Sequence, residues 1–497
     1  VGTTVQPSTG PTDPPGPTDP PGPTEPPGPT EPPSLDRLGA LREAGYASRS
    51  VKAEVAANVA RRIAAGQPLV VGVLGYEDDV LPQLENALLA GHDVILLGER
   101  GQAKTRLLRS LVALLDEWIP VVEGSELHDD PLAPVSAYAR ELVAERGDET
   151  PIAWLHRDQR YGEKLATPDT SVADLIGEVD PIKVAEGRYL ADERTLHYGI
   201  VPRTNRGIFA VNELPDLAER IQVSLLNVLE ERDVQVRGYS VRLPLDLLFV
   251  ASANPEDYTN RGRIITPLKD RFGAQIRTHY PRSQEVERAV IAQEARPASH
   301  AGVEVFVPGY MTEVVAGISQ AARRAPKVNQ HSGVSVRVSV ANYETLVVNA
   351  LRRALVLGEP EAVPRVSDLA ALAPSTLGKL EVEVLEDGRE EELFEQLVAH
   401  ALLAVFRARV PLDAARPVLA AFEAGAVVEI GDRVPAGDYL AVLARVDGLA
   451  ALAGRVAERE TPAALASAVE LVLEGLHLAK RLNKDQVGAG VTFRGRG

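Results

Sequence analysis

The chain has 497 residues, with 53 Lys and Arg against 70 Asp and Glu and a formal charge of −17. That length provides for two or three domains, and 45% hydrophobic with 25% charged residues excludes wholesale disorder. The 4% aromatic content and acidic balance count against nucleic-acid binding, and the absence of cysteine excludes disulfide scaffolds, thiol nucleophiles and Cys-ligated zinc.

Residues 1–33 stand apart in composition. From Gly10 the hexamer GPTDPP occurs twice and GPTEPP twice, without Lys or Arg, which predicts an extended, disordered acidic spacer. A helical segment over 34–66 follows. Next come LVVGVLGYEDDV, an amphipathic LPQLENALLA, and an apolar strand at Val94–Leu97 that runs through a Gly-containing loop into a helix. Residues 120–207 read as short helical pieces and loops. Further apolar strands are predicted at Ile208–Val211 and Leu247–Ala251, with the helix AERIQVSLLNVLEERDV between them. Apolar runs alternating with helices imply a mostly parallel sheet covered on both faces. Beyond Pro281 the sequence reads as helical, with Thr461 capping a helix that opens on Pro462 and carries an internal stripe of Leu465, Val469, Val472 and Leu476. The domains predicted are therefore a tail (1–33), a helical segment (34–66), an α/β core (67–282), an all-α lid (283–380) and a helical C-terminal region (381–497). No apolar run approaches the roughly 18 residues of a membrane span, and a cytoplasmic location is expected.

The loop Gly98-Glu99-Arg100-Gly101-Gln102-Ala103-Lys104-Thr105 departs from the phosphate-binding pattern GxxxxGK[ST] only at Ala103. It follows a buried strand and opens a helix, the context in which backbone N–H groups curl around phosphates. Lys104 then reaches the β- and γ-phosphates of ATP, and the Thr105 hydroxyl ligates Mg2+. The second strand ends in Asn212-Glu213. Glu213 is the candidate for polarising an attacking water. Asn212 stands where an Asp usually helps hold Mg2+, and as an amide it supplies no charge. Asn254 ends the third strand and is either a helper of Glu213 or an ordinary Asn-Pro turn residue. Arg271, in PLKDRFG, is either an arginine finger or a surface residue paired with Asp270. Arg337, in SGVSVRVSV, is either a γ-phosphate sensor or half of a structural ion pair. The histidines are scattered without metal-ligand spacing, and no GxSxG elbow or GAFTGA-like loop is present.

The order of these parts resembles the AAA+ ATPases of the MoxR and magnesium-chelatase subunit I group over roughly residues 66–355. The block GIFAVNELPDL…LLNVLEERDVQVRG…FVASANPEDY…LKDRFG carries most of the resemblance. It implies a homo-oligomeric ring, usually a hexamer, with ATP and Mg2+ bound between subunits. Lys104, Thr105, Glu213 and Asn254 would act in one subunit, and Arg271 would reach in from its neighbour. It also implies an inserted segment before the acidic strand, at about Ser171 to Arg203, and a separate partner protein with a von Willebrand factor A domain. Two alternatives stay open. One is a nucleotide-gated scaffold with weak turnover, motivated by Asn212; the other is the motor subunit of a metal chelatase.

Overall fold

A computed structural model describes residues 30–179, 195–231, 243–254, 263–326, 328, 333–380, 389–487 and 490–496. The greater part of the proline-rich repeat, the middle of the predicted insert and the PEDY segment after Asn254 lie outside the described residues.

Five strands form the central sheet: β1 (Val94–Leu97), β2 (Tyr161–Leu165), β3 (Gly207–Asn212), β4 (Leu247–Ala253) and β5 (Ala274–Arg277). They run parallel throughout, in the order β2-β3-β4-β1-β5. Because side chains alternate along a strand, each apolar run divides between two faces. Val94, Leu96, Ile208, Ala210, Leu248 and Val250 face one way, onto α1 (Val51–Ala64), α2 (Val80–Leu89) and α3 (Lys104–Ser110). Ile95, Leu97, Phe209, Val211, Phe249 and Ala251 face the other, onto α4 (Glu219–Glu231) and the short helix Thr266–Arg271. Burial on both faces is what makes the inner strands unbroken apolar runs. The rings of Phe209, Phe249 and Phe272 stack in series at 5.5 and 5.6 Å, each contact worth about 0.5–1.5 kcal/mol beyond area burial.

The segment 171–203 contributes a short antiparallel strand pair, Gly177–Val179 against Leu196–Tyr198. Residues 120–207 are more regular than their sequence suggests. They hold most of an antiparallel pair, Trp118–Val122 with Ile152–His156, as well as the edge strand β2.

The helical part begins with α5 (Gln284–Glu294), α6 (Gly309–Arg324) and α7 (Val336–Leu357), and continues with α8 (Arg389–Arg409) and α9 (Pro462–Leu478). One apolar core runs through all of it, joining Ile291, Met311, Val314 and Leu346 to Leu402, Phe406, Val469 and Leu473. Thr461 Oγ1 accepts from the Ala464 N–H and starts α9, a helix that is apolar nearly all round and therefore sits inside the bundle. Gly475 lets α8 and α9 touch, since a Cβ there would lie 2.2 Å from the Phe406 ring. A small antiparallel sheet is added that the sequence reading did not anticipate. It comprises β6 (Val427–Ile430), β7 (Asn483–Val487) and β8 (Gly490–Arg494), in the order β6-β8-β7. These strands are short and only half-buried, so they leave no apolar run. Among the described residues no helix is long and apolar enough to cross a membrane.

A buried ion pair fastens the N-terminal helices to the sheet. Arg160 is 1% exposed and donates through both terminal nitrogens to Glu54 at 2.7 Å, while its Nε donates to the Arg206 carbonyl at 2.8 Å. Glu54 also accepts the Asp116 N–H at 2.6 Å. Breaking one side of such a pair strands a buried charge, so Glu54→Ala should cost about 3–5 kcal/mol. Urea unfolding checks this, and a loss below about 1 kcal/mol, what an exposed pair contributes, would refute it.

Candidate functional site

Strand β1 hands the chain to the loop Gly98–Ala103, whose first residues are pinned from both sides by the neighbouring chain segments. Gly98 N donates to Ala253 O at 3.1 Å, and Thr278 N to Leu97 O at 2.8 Å. Within the loop, Gln102 Oε1 accepts from Glu99 N at 3.1 Å and from Thr278 Oγ1 at 2.7 Å. Tyr76 donates to the Gln102 carbonyl at 2.7 Å. Burial pushes the Tyr76 hydroxyl up to about 12, so it stays a donor. Only glycine fits at two points: a Cβ on Gly98 would lie 1.9 Å from Thr278 Oγ1, and one on Gly101 would lie 1.8 Å from Ser335 Oγ. Ala103 holds φ 56 and ψ 15, a left-handed conformation that costs a non-glycine residue roughly 1–2 kcal/mol. This explains why the pattern usually has glycine at that position. Lys104 is 6% exposed and donates to the carbonyls of Gly98 and Glu99.

Strand β3 ends beside the loop. Alternation would send Asn212 and Glu213 to opposite faces, but Glu213 has φ 54 and ψ 49. That left-handed turn breaks the alternation, and both side chains reach the loop side. Thr105 Oγ1 and Ser252 Oγ each donate to Asn212 Oδ1 at 3.2 Å. The Glu213 N–H donates to Ser252 Oγ at 3.3 Å. On its other side Asn212 Nδ2 donates to Glu163 Oε1 at 2.6 Å, and Glu163 is gripped by Arg109 through Nε at 2.7 Å and Nη2 at 3.0 Å. Strained backbone of this kind at two residues flanking one space is a common mark of a functional site.

The space is a cavity of ≈ 760 Å³ lined by the loop from Arg100 to Thr105 together with Arg106, Arg109, Glu213, Asp216 and Arg337. Five basic residues (Arg100, Lys104, Arg106, Arg109, Arg337) face two acidic ones (Glu213, Asp216) in this lining, the reverse of the whole-chain balance. A second cavity of ≈ 400 Å³ shares Gly101–Ala103, Arg106 and Arg337 with the first and extends past the Gly72–Tyr76 backbone. Its walls are apolar at Val73, Val290 and Val340 and polar at Gln293 and Glu344. Gly75 allows the close approach, since a Cβ there would meet Val286 Cγ1 at 2.6 Å.

Of the predicted residues, the structure brings Arg100, Gly101, Gln102, Ala103, Lys104, Thr105, Glu213 and Arg337 onto one cavity, with Asn212 hydrogen-bonded to Thr105. Gly98 and Glu99 do not line it but hold Lys104 through their carbonyls. Asn254 is 1% exposed at the end of β4 and does not line either cavity. Arg271 lies away from both, paired with Glu230 of α4 rather than with Asp270. The sequence reading missed Glu163, Arg109, Ser252, Asp216 and the Gly72–Tyr76 wall. The two glycines of VGVLGY and the helical spacing of Thr105 and Arg109 were the available signals.

A family model described as the sigma-54 interaction domain matches residues 184–271, from before β3 to Arg271. The chain is 30% identical over 273 residues to the magnesium-chelatase 38 kDa subunit of Rhodobacter capsulatus, covering 52% of this chain and 69% of that protein. It is 30% identical over 220 residues to the corresponding subunit of Cereibacter sphaeroides, spanning 57% of its length. Against the magnesium-chelatase subunit ChlI of a Nostoc species the identity is 28%, over 56% of this chain and 72% of the relative. Among solved structures, a chain of the magnesium chelatase BchI–BchD complex is similar at 23% identity, covering 67% of this chain and 94% of that one with a TM-score of 0.35. At the identity and coverage shared with the Rhodobacter capsulatus protein, this chain belongs to the AAA+ ATPases of the magnesium-chelatase subunit I group.

Proposed function

We propose that this chain is an ATP-hydrolysing ring subunit that remodels or activates a separate partner protein, one carrying a von Willebrand factor A domain. The observation that carries the reading is that Lys104, Thr105 and Glu213 line one cavity. The neighbouring ≈ 400 Å³ space falls in the usual range for a small-molecule pocket, and its apolar walls suit a purine base. The relatives' description as chelatase subunits supports assembly, and Arg271 lines neither cavity of its own chain, as expected of a finger that serves a neighbour. The sigma-54 match covers the β3-to-Arg271 segment, and without a GAFTGA-like loop in the sequence it does not favour a transcription activator.

The donor set fits Mg2+. Thr105 Oγ1 and Asn212 Oδ1 are oxygens 3.2 Å apart, and Mg2+ takes oxygen ligands while keeping several waters. Among the described residues no three His, Asp or Glu side chains gather to hold a metal by themselves, so phosphate oxygens complete the set. Bound there, Mg2+ neutralises charge on the β- and γ-phosphates. Lys104 exchanges its loop carbonyls for phosphate oxygens, and Glu213 orients the attacking water. Arg337, at the start of α7, meets the phosphates from the lid, and Arg271 of the adjacent subunit offsets charge developing on the transferred group.

Asn212 favours a second reading, a nucleotide-gated scaffold with weak turnover; brisk steady-state phosphate release by the native protein would exclude it. A chelatase motor subunit is the special case in which the partner inserts a metal, and co-purification with candidate partners separates the two. Glu213→Gln should keep ATP affinity and lose about 10²–10⁴ in hydrolysis, the range of a general base. Native-level phosphate release would remove Glu213 from that role. Arg271→Ala should likewise bind ATP normally yet hydrolyse about 10³-fold more slowly, and mixing it with Glu213→Gln subunits should recover activity at the interfaces that pair two intact halves. No recovery in mixed assemblies, at any ratio, argues against a site shared between subunits.

A further inference from the structure

Resting on this nucleotide reading, the contacts around Asn212 assign a role to a residue on the sheet edge. Asn212 is neutral where the phosphate-loop pattern usually has an Asp, but a carboxylate stands directly behind it. Glu163 Oε1 accepts from Asn212 Nδ2 at 2.6 Å. Since an ionised carboxylate can only accept, it admits a single orientation of the amide, with Nδ2 toward Glu163 and Oδ1 toward Thr105 and Ser252. The reversed amide would present N–H groups to the position a cation occupies. Glu163 is itself fixed by the two-point grip of Arg109, and Arg109 lies one helical turn after Thr105 on α3. The chain of contacts Thr105–Asn212–Glu163–Arg109 therefore begins and ends on one helix face. Glu163 is mostly covered, its side chain 20% exposed, whereas that of Arg109 is 65% exposed. Arg109 is thus the better screened by water, and Glu163 keeps a negative potential on the Asn212 side.

We propose that Glu163 is a positioning residue for the Mg2+·nucleotide site, and that the Asn212–Glu163 pair stands in for a single strand-end Asp. Asn212 presents a neutral oxygen to the cation side, and Glu163 supplies the orientation and the charge from one strand away. A consequence separates this from a merely degenerate motif. Restoring the usual carboxylate by Asn212→Asp places two carboxylates at the 2.6 Å contact, where both cannot stay ionised. The substitution that looks like a repair is harmful. Paired with Glu163→Gln it becomes a repair, because the amide introduced at position 163 donates to the new carboxylate and the contact is rebuilt with the charge moved to the strand end.

The test uses the full chain and a fluorescent ADP titrated with and without Mg2+, and its readout is the ratio of the two affinities rather than turnover. Affinity without Mg2+ reports that the pocket is folded in each variant. Glu163→Ala and Asn212→Asp should each lose about tenfold or more of the Mg2+-dependent tightening, the scale seen when a metal ligand's support is removed, while binding without Mg2+ stays measurable. The double variant Glu163→Gln/Asn212→Asp should regain most of the tightening. Asn212→Asp that tightens as well as native protein, or a double variant no better than Asn212→Asp alone, overturns the role of Glu163 and leaves the nucleotide site standing. Native protein that binds no nucleotide in either condition rejects the nucleotide reading itself, and this assignment with it.

Discussion

The site depends on one feature of strand order: β4 lies between β1 and β3. Parallel pairing levels the three strand ends, with Leu97 opposite Ala253 and Val211 opposite Ala251. The phosphate loop after β1 and the acidic end of β3 therefore stand two strand spacings apart, about 10 Å, and short side chains bridge that distance. What lies between them is Ser252, flanked by Ala251 and Ala253. Its hydroxyl meets both the Asn212 side chain and the Glu213 N–H, and a bulky residue in its place would fill the gap that Thr105 and Asn212 close. Chain order runs from β1 out to the far edge, back through β3 and β4, and past β1 again to β5. That reversal leaves a crevice beyond the strand ends, the place where open α/β sheets bind ligands.

Much of this was legible in the sequence for a physical reason. Strands β1, β3 and β4 are covered on both faces, so they appear as uninterrupted apolar runs, and the loop and carboxylate follow them directly. β2 was not legible. It is an edge strand paired only with β3, its residues YGEKL are mostly half-buried, and nothing in that pattern separates it from a loop. Glu163 went unnoticed with it, and so did the connection between Asn212 and its carboxylate. The strands β6–β8 were missed likewise, because one polar face and lengths of four or five residues leave no periodicity to detect. The Gly72–Tyr76 wall shows a different limit. Its contribution is backbone and small apolar side chains, and which backbone approaches a cavity is decided by tertiary packing.

Charge distribution sets the first cavity apart from the rest of an acidic protein. The chain carries a formal −17, which opposes a triphosphate at long range. The first cavity concentrates Arg100, Lys104, Arg106, Arg109 and Arg337 around Glu213 and Asp216, so the local field has the opposite sign, and low-dielectric walls focus it. Beyond roughly 8–10 Å at physiological salt the overall charge is screened, and the lining decides. The acidic exterior therefore does not weaken capture in proportion to its size.

The same loop that lines the cavity also touches the first helices of the C-terminal part. Ser335, the N-cap of α7, packs against Gly101 too closely for any side chain there. Tyr280 donates to the Arg100 carbonyl at 2.8 Å, and Arg106 pairs with Glu294 of α5. Arg337 extends from α7 into both cavities. Gly101, Arg106 and Arg337 line the first cavity and are also among the residues through which the core meets α5 and α7. Any shift in the loop must be matched at Ser335 or break that contact, so the loop and the start of α7 are placed together. No long stretch of chain separates the cavity from the C-terminal region, because a continuous apolar core joins α6 and α7 to α8 and α9.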